Sequence, residues 1–126
     1  MRFAGIDIAA ETHVVALVDE HGALLIKPTP FAEDAAGYQT LRTLLGGPAD
    51  LLVGMEATGH AWQNLFAVLV AEGFAIALLN PMRTRRFAGE DLARAKTDAL
   101  DAVGSARFAA QKRPAHRGGR IKRQNK

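Results

Sequence analysis

FAGIDIAAETHVVALVD, residues 3–19, reads as two strands joined by a short turn. The first strand, Arg2–Ile8, is apolar except at Arg2 and Asp7, and the second, His13–Val18, is a β-branched and apolar run. Val, Ile and Phe suit a pleated, half-buried surface, and such a run bounded by turn residues is a strand signal. A carboxylate at the end of so apolar a strand is costly unless other charges or a metal ion balance it. Asp7 therefore has two readings from the strand alone: a cap for the following turn, or a site residue.

Working outward, Glu20-His21-Gly22 is a tight turn and Ala23–Lys27 a third strand, making an antiparallel meander that Pro28 and Pro30 are expected to end. A helix follows over Ala35–Leu45, with Asp34 as N-cap, Gly46-Gly47 as its stop, and Tyr38, Leu41, Leu44 and Leu45 on a core face. Leu51–Glu56 is a short buried strand ending in an acid. Because it follows a helix, it is expected to lie parallel to the first strand. A second helix, about Ala61–Glu72, a fifth strand, Phe74–Leu79, and a last helix, Asp98–Gln111 capped by Thr97, complete the order. Three antiparallel strands followed by helix, strand, helix, strand and helix is the layout of an α/β, ribonuclease H-like (RuvC-like) fold. Its mixed five-stranded sheet is flanked by helices.

Length and charge bound the rest. The chain has 126 residues, enough for one domain with a real core. It has no cysteine, so neither disulfides nor thiolate metal sites arise. No apolar run reaches bilayer length and no signal peptide is visible, so no membrane role and a cytoplasmic location are expected. The net charge of +3 is unevenly spread. Residues 112–126 carry seven Lys/Arg and no acid, whereas 1–111 carry nine basic and thirteen acidic residues. We read 1–111 as the domain and 112–126 as a basic tail, disordered alone and drawn to nucleic acid by counterion release.

Four carboxylates stand out: Asp7 and Glu56 at strand ends, and Asp98 and Asp101 three apart at the start of the last helix, on one face. Brought together they would repel. A divalent cation removes that conflict, and oxygen-only ligands suit Mg²⁺ or Mn²⁺. Two such ions can clamp the attacking and leaving oxygens of a phosphodiester. Asp-x-x-Asp alone most often marks a helix cap with solvated charge. The signal lies in the order of strand-end Asp, strand-end Glu and helical Asp pair.

The motifs GIDIAAETHVVALVD (5–19), GMEATGHAW (54–62), LNPMRTRRFA (79–88) and KTDALDA (96–102) resemble the N-terminal domain of the DEDD transposases of the insertion-sequence-110 type, relatives of the Piv-type DNA invertases. The resemblance spans most of residues 3–108. It implies a RuvC-like fold and a metal-binding set of Asp7, Glu56, Asp98 and Asp101. It also implies DNA strand cleavage and exchange in transposition, guided in that family by a structured RNA, with family members assembling as homo-oligomers. The family continues into a second domain carrying a nucleophilic serine. Ala110–Lys126 does not resemble that continuation, so the chain is expected to be a truncated copy. Ser105, inside the last helix, is not read as the missing nucleophile.

The remaining polar residues divide as follows. Arg83, Arg85 and Arg86, just after a strand end, are read as DNA phosphate contacts, and Lys96, beside the acid pair, as a neutralising or phosphate-touching cation. His13 is read as a solvated strand-end residue before a DNA contact, His60 as a helix-start hydrogen bonder before a phosphate ligand, and Trp62 as core before a base-stacking platform. The alternatives carried are a Holliday-junction-resolvase-like nuclease and a non-catalytic nucleic-acid-binding remnant. A sugar-kinase-like domain is disfavoured, because Ile8-Ala9-Ala10-Glu11 has no phosphate-cradling glycine and the length leaves no second lobe.

Overall fold

Residues 1–57, 59–80 and 101–119 are described by a computed structural model. The expected α/β architecture is present. The strands are β1 (Arg2–Asp7), β2 (Thr12–Asp19), β3 (Leu24–Ala32), β4 (Leu51–Glu56) and β5 (Ala75–Leu79). They form one mixed sheet in the order β3-β2-β1-β4-β5. β1 pairs antiparallel with β2, and β1, β4 and β5 run parallel. The helices are α1 (Ala35–Leu45), α2 (Trp62–Ala71) and α3 (Ala102–Lys112).

Local chemistry explains the boundaries. The Asp34 carboxylate accepts from the Gly37 amide at 2.7 Å to start α1, and Gly46 ends it at φ 72°. The third strand departs from the expectation, because Pro28 and Pro30 do not end it. β3 runs through both to Ala32, with Pro30 opposite Val14. A proline removes one amide donor, which an edge strand can spare on its solvent side, and β3 is an edge. The β2–β3 register also shifts between Val15 and Val18, the stretch facing Pro28.

Strand alternation divides the core between two faces. Ala4 and Ile6 of β1 and Leu51, Val53 and Met55 of β4 face α1 and α2, against Tyr38, Leu41, Leu45, Leu65 and Leu69. Phe3 and Leu52 face α3, against Ala106, Phe108 and Ala109. The same alternation puts Gly5, Asp7, Gly54 and Glu56 on the α3 face. Gly5 and Gly54 are partners in the β1–β4 register. A Cβ at Gly5 would stand 2.1 Å from the Ala102 carbonyl oxygen and 2.3 Å from the Ala106 nitrogen, so α3 rests backbone-on-backbone over β1.

Of the basic stretch 112–126, residues 112–119 are described, and they lie against the domain. Lys112 is the last residue of α3, and the Arg113 guanidinium lies 4.9 Å from the centre of the Phe3 ring. Arg117 forms an antiparallel bridge with Ile76, each amide donating to the other's carbonyl at 2.8 Å. The segment to Gly119 thus lies along the free edge of β5, whose open amides and carbonyls give it partners that charge patterning alone does not reveal.

Candidate carboxylate centre

The last paired residues of β1 and β4 are Ile6 and Met55. Asp7 and Glu56 follow one step on, at the carboxyl ends of adjacent parallel strands, on the face that α3 covers. The side chain of Glu56 is buried and Asp7 is exposed. Open α/β sheets place ligands at this end of parallel strands.

α3 brings the third carboxylate. The expected helix start at Asp98 needs correction at its described end: Asp101 has extended backbone, and the helix begins at Ala102. Asp101 is the N-cap, its Oδ1 accepting from the Gly104 amide at 2.8 Å. The bland reading of Asp-x-x-Asp as a cap is therefore met at Asp101, whose charge nonetheless reaches the strand ends. Asp98 lies outside the described residues, as do Lys96, Arg83, Arg85, Arg86 and the expected cap Thr97.

Of these three acids, Asp7 is the one visibly perturbed. Partial desolvation raises the Asp7 carboxyl above its ordinary value, and the nearby charges of Asp101 and then Glu56 push it further. A charge on His13 would act the other way. Among the described residues, no group of three His, Asp or Glu side chains is arranged to hold a metal ion as it stands. The donor chemistry is that of a hard cation, oxygen only, and the repulsion at Asp7 is what such a cation relieves.

His13 is not the solvated residue expected. It is fully buried. Its Nδ1 accepts from the Ala9 amide at 3.1 Å, and its Nε2 lies 2.5 Å from Glu33 Oε1. An Nδ1 that accepts carries no proton, so the ring is neutral and Nε2–H donates to the Glu33 carboxylate. The other Glu33 oxygen accepts from the Tyr38 hydroxyl and from Asn64 Nδ2, the latter at 2.9 Å. Burial alone would raise Glu33, but these hydrogen bonds outweigh it and hold the carboxyl below its usual range. Burial first, then the Glu33 carboxylate, pushes the Tyr38 hydroxyl well above its ordinary value. Neither Glu33 nor Asn64 stood out in the sequence, and Tyr38 was read only as core. The sole available signal was His13 itself, a polar residue at an inward position of an apolar strand.

The other polar candidates are placed as follows. Trp62 is half-buried, packs edge-on against Phe66 at 5.7 Å, and donates from Nε1 to the Gly59 carbonyl. The His60 carbonyl accepts from the Gln63 amide at the start of α2. Ser105 is packed rather than solvated, its hydroxyl buried without a hydrogen-bond partner among the described residues. No described helix is long and apolar enough to cross a membrane.

Comparison with known proteins agrees with this architecture. The family model for DEDD transposases of the IS110 type, described as "Transposase", matches residues 4–125. The match extends through most of the basic tail, where the sequence motifs alone had shown no resemblance. The mini-circle putative transposase for IS117 of Streptomyces coelicolor is 34% identical over 121 residues. That alignment covers 91% of this chain and 28% of the relative, so the chain spans under a third of the relative's length.

Proposed function

Because this chain belongs to the IS110-type DEDD transposase family, we propose that it supplies the carboxylate centre for metal-dependent DNA strand cleavage and exchange in transposition. The supporting observation is the placing of Asp7, Glu56 and Asp101 at one end of the sheet, with the Asp7 carboxyl raised first by burial and then by the charges of Asp101 and Glu56. In this reading Asp7, Glu56, Asp98 and Asp101 hold Mg²⁺ or Mn²⁺. Ions held by these residues would supply Lewis-acid chemistry, lowering the pKa of a nucleophile and offsetting charge on a phosphate.

The chain's own residues then have separable tasks. Asp7 and Glu56 set the position of the centre from two strands that cannot move independently. Asp101 fixes the approach of α3 through its cap and adds a third carboxylate. Arg83, Arg85, Arg86 and Lys96 bind DNA phosphates and orient the strand without reading sequence. Recognition of target sequence, through a structured guide RNA, and assembly into oligomers belong to the whole protein of this family. They are part of the same proposal.

The test is fluorescence anisotropy of a labelled DNA duplex, with native chain and Asp7→Asn, in Mg²⁺ and in EDTA at matched ionic strength. Divalent ions ordinarily weaken phosphate binding by competing for the DNA. Affinity that rises several-fold in Mg²⁺ for the native chain, and not for Asp7→Asn, supports a metal centre engaging DNA. Equal or weaker binding in Mg²⁺ for both overturns the proposal and favours a non-catalytic nucleic-acid-binding remnant.

A further inference from the structure

Resting on the carboxylate-centre reading above, we propose that His13 is a positioning residue that frees Asp7 for cation binding by taking over the turn-capping task an aspartate at that position would otherwise perform. An aspartate at the end of a strand ordinarily closes the following turn by accepting the amide two residues on. For Asp7 that amide belongs to Ala9. Here the Ala9 amide donates to His13 Nδ1 at 3.1 Å instead. Among the described residues, no hydrogen bond to the Asp7 carboxylate is made. Both of its oxygens are left uncommitted by the turn, with the charges of Asp101 and Glu56 nearby.

The arrangement is built from beneath. His13 lies at the start of β2, fully buried, its ring 5.2 Å from that of Phe31. Its tautomer is set on the far side, where Nε2–H donates to Glu33 at 2.5 Å. Glu33 is itself fixed by Tyr38 of α1 and Asn64 of α2, and the Asn64 amide also lies 3.0 Å from the Tyr38 hydroxyl. The Glu33 amide donates to the Glu11 carbonyl at 2.9 Å, holding the other end of the same turn. Residues 8–11 are thus clamped at Ala9 by a side chain and at Glu11 by a backbone bond, and Asp7 is the residue they adjoin. A carboxylate orienter of a histidine that in turn sets a neighbouring group is a common support for metal-binding sites.

Two substitutions separate the two ends of the ring. His13→Asn puts an acceptor near Nδ1 and loses the reach to Glu33. His13→Gln reaches Glu33 and loses the acceptor for Ala9. The first readout is amide hydrogen exchange of the metal-free chain. Ala9 protection should survive in His13→Asn and fall at least tenfold in His13→Gln. The second is the Mn²⁺-induced rise in melting temperature. It should persist in His13→Asn, despite its lower starting stability, and shrink or vanish in His13→Gln. A merely structural histidine predicts lower stability in both variants with equal Mn²⁺ response. That outcome, or undiminished Ala9 protection in His13→Gln, overturns the inference. A native chain indifferent to Mn²⁺ overturns the carboxylate-centre reading, and with it the purpose assigned to His13. The Ala9 protection pattern would still decide whether His13 holds the turn.

Discussion

Replacing Gly5 by alanine should dislodge α3 from the sheet. The added Cβ would stand 2.1 Å from the Ala102 carbonyl oxygen, 2.3 Å from the Ala106 nitrogen and 2.9 Å from Ser105 Cβ. All three belong to α3, and two are backbone atoms that no rotamer change can move. Restoring ordinary contact at about 3.4 Å requires the helix to lift by about 1.3 Å, measured from the closest pair. Overpacking of this kind costs about 1–3 kcal/mol, and a rigid backbone collision belongs at the upper end. Stiffening the unfolded chain returns about 0.4–1 kcal/mol, leaving about 2 kcal/mol of net destabilisation. For a domain of this size that lowers the melting temperature by about 8 °C. Gly54→Ala is the control. Its new Cβ meets the movable end of Leu79 at 3.3 Å and the Ser105 carbonyl at 3.4 Å, so the loss should stay within about 1 kcal/mol. Urea unfolding of the three proteins measures both values. A Gly5→Ala chain as stable as Gly54→Ala would refute the backbone-on-backbone seating of α3, and with it the delivery of Asp101 to the strand ends.

Two further outcomes concern Glu33 and Asp7. Glu33→Gln should cost about 1–3 kcal/mol by urea unfolding, because its amide NH₂ must face a group that now donates to the carboxylate. It should also remove an acid-labile contribution. Glu33 is depressed in the folded state, so its contribution is present above the unfolded value near 4.5 and is lost as pH falls through the lower folded value. Asp7 has the opposite sign. Its folded carboxyl is raised, so its contribution is complete below the unfolded value of 3.8 and is lost as pH rises through the folded value. In the absence of metal, Asp7→Asn should therefore melt above the native chain at pH 7, with the gap closing as pH falls below 3.8. Melting curves across this range check both signs.

Much of the sheet was legible because its signals are local. The α1 boundaries were readable from Asp34 and Gly46, and the parallel pairing of β4 from the helix that precedes it. That Asp7 and Glu56 share a face was implicit in the period of two along each strand. Pro28 and Pro30 misled because a proline's effect depends on whether its strand lies at an edge, and strand order is a tertiary property. The Asp101 boundary was misplaced by a few residues because a capping aspartate and a first-turn aspartate look alike in sequence. The His13 network was invisible for a different reason. Its partners Glu33, Tyr38 and Asn64 come from separate elements and meet only when α1 and α2 pack on the sheet. The tail's attachment to β5 likewise depends on a free sheet edge rather than on anything in its own composition.

The central claim is that acids from two strand ends and α3 form a cation-binding centre. The most direct measurement is a thermal melt of the native chain, Asp7→Asn and Glu56→Gln, each with and without millimolar Mn²⁺. A ligand present at a hundredfold excess over its Kd and bound only by the folded state stabilises it by about 2.7 kcal/mol. For this domain that is a rise of about 10 °C. The account expects such a rise in the native chain and its loss in both variants. A native melt indifferent to Mn²⁺, or one raised equally in all three proteins, would contradict it.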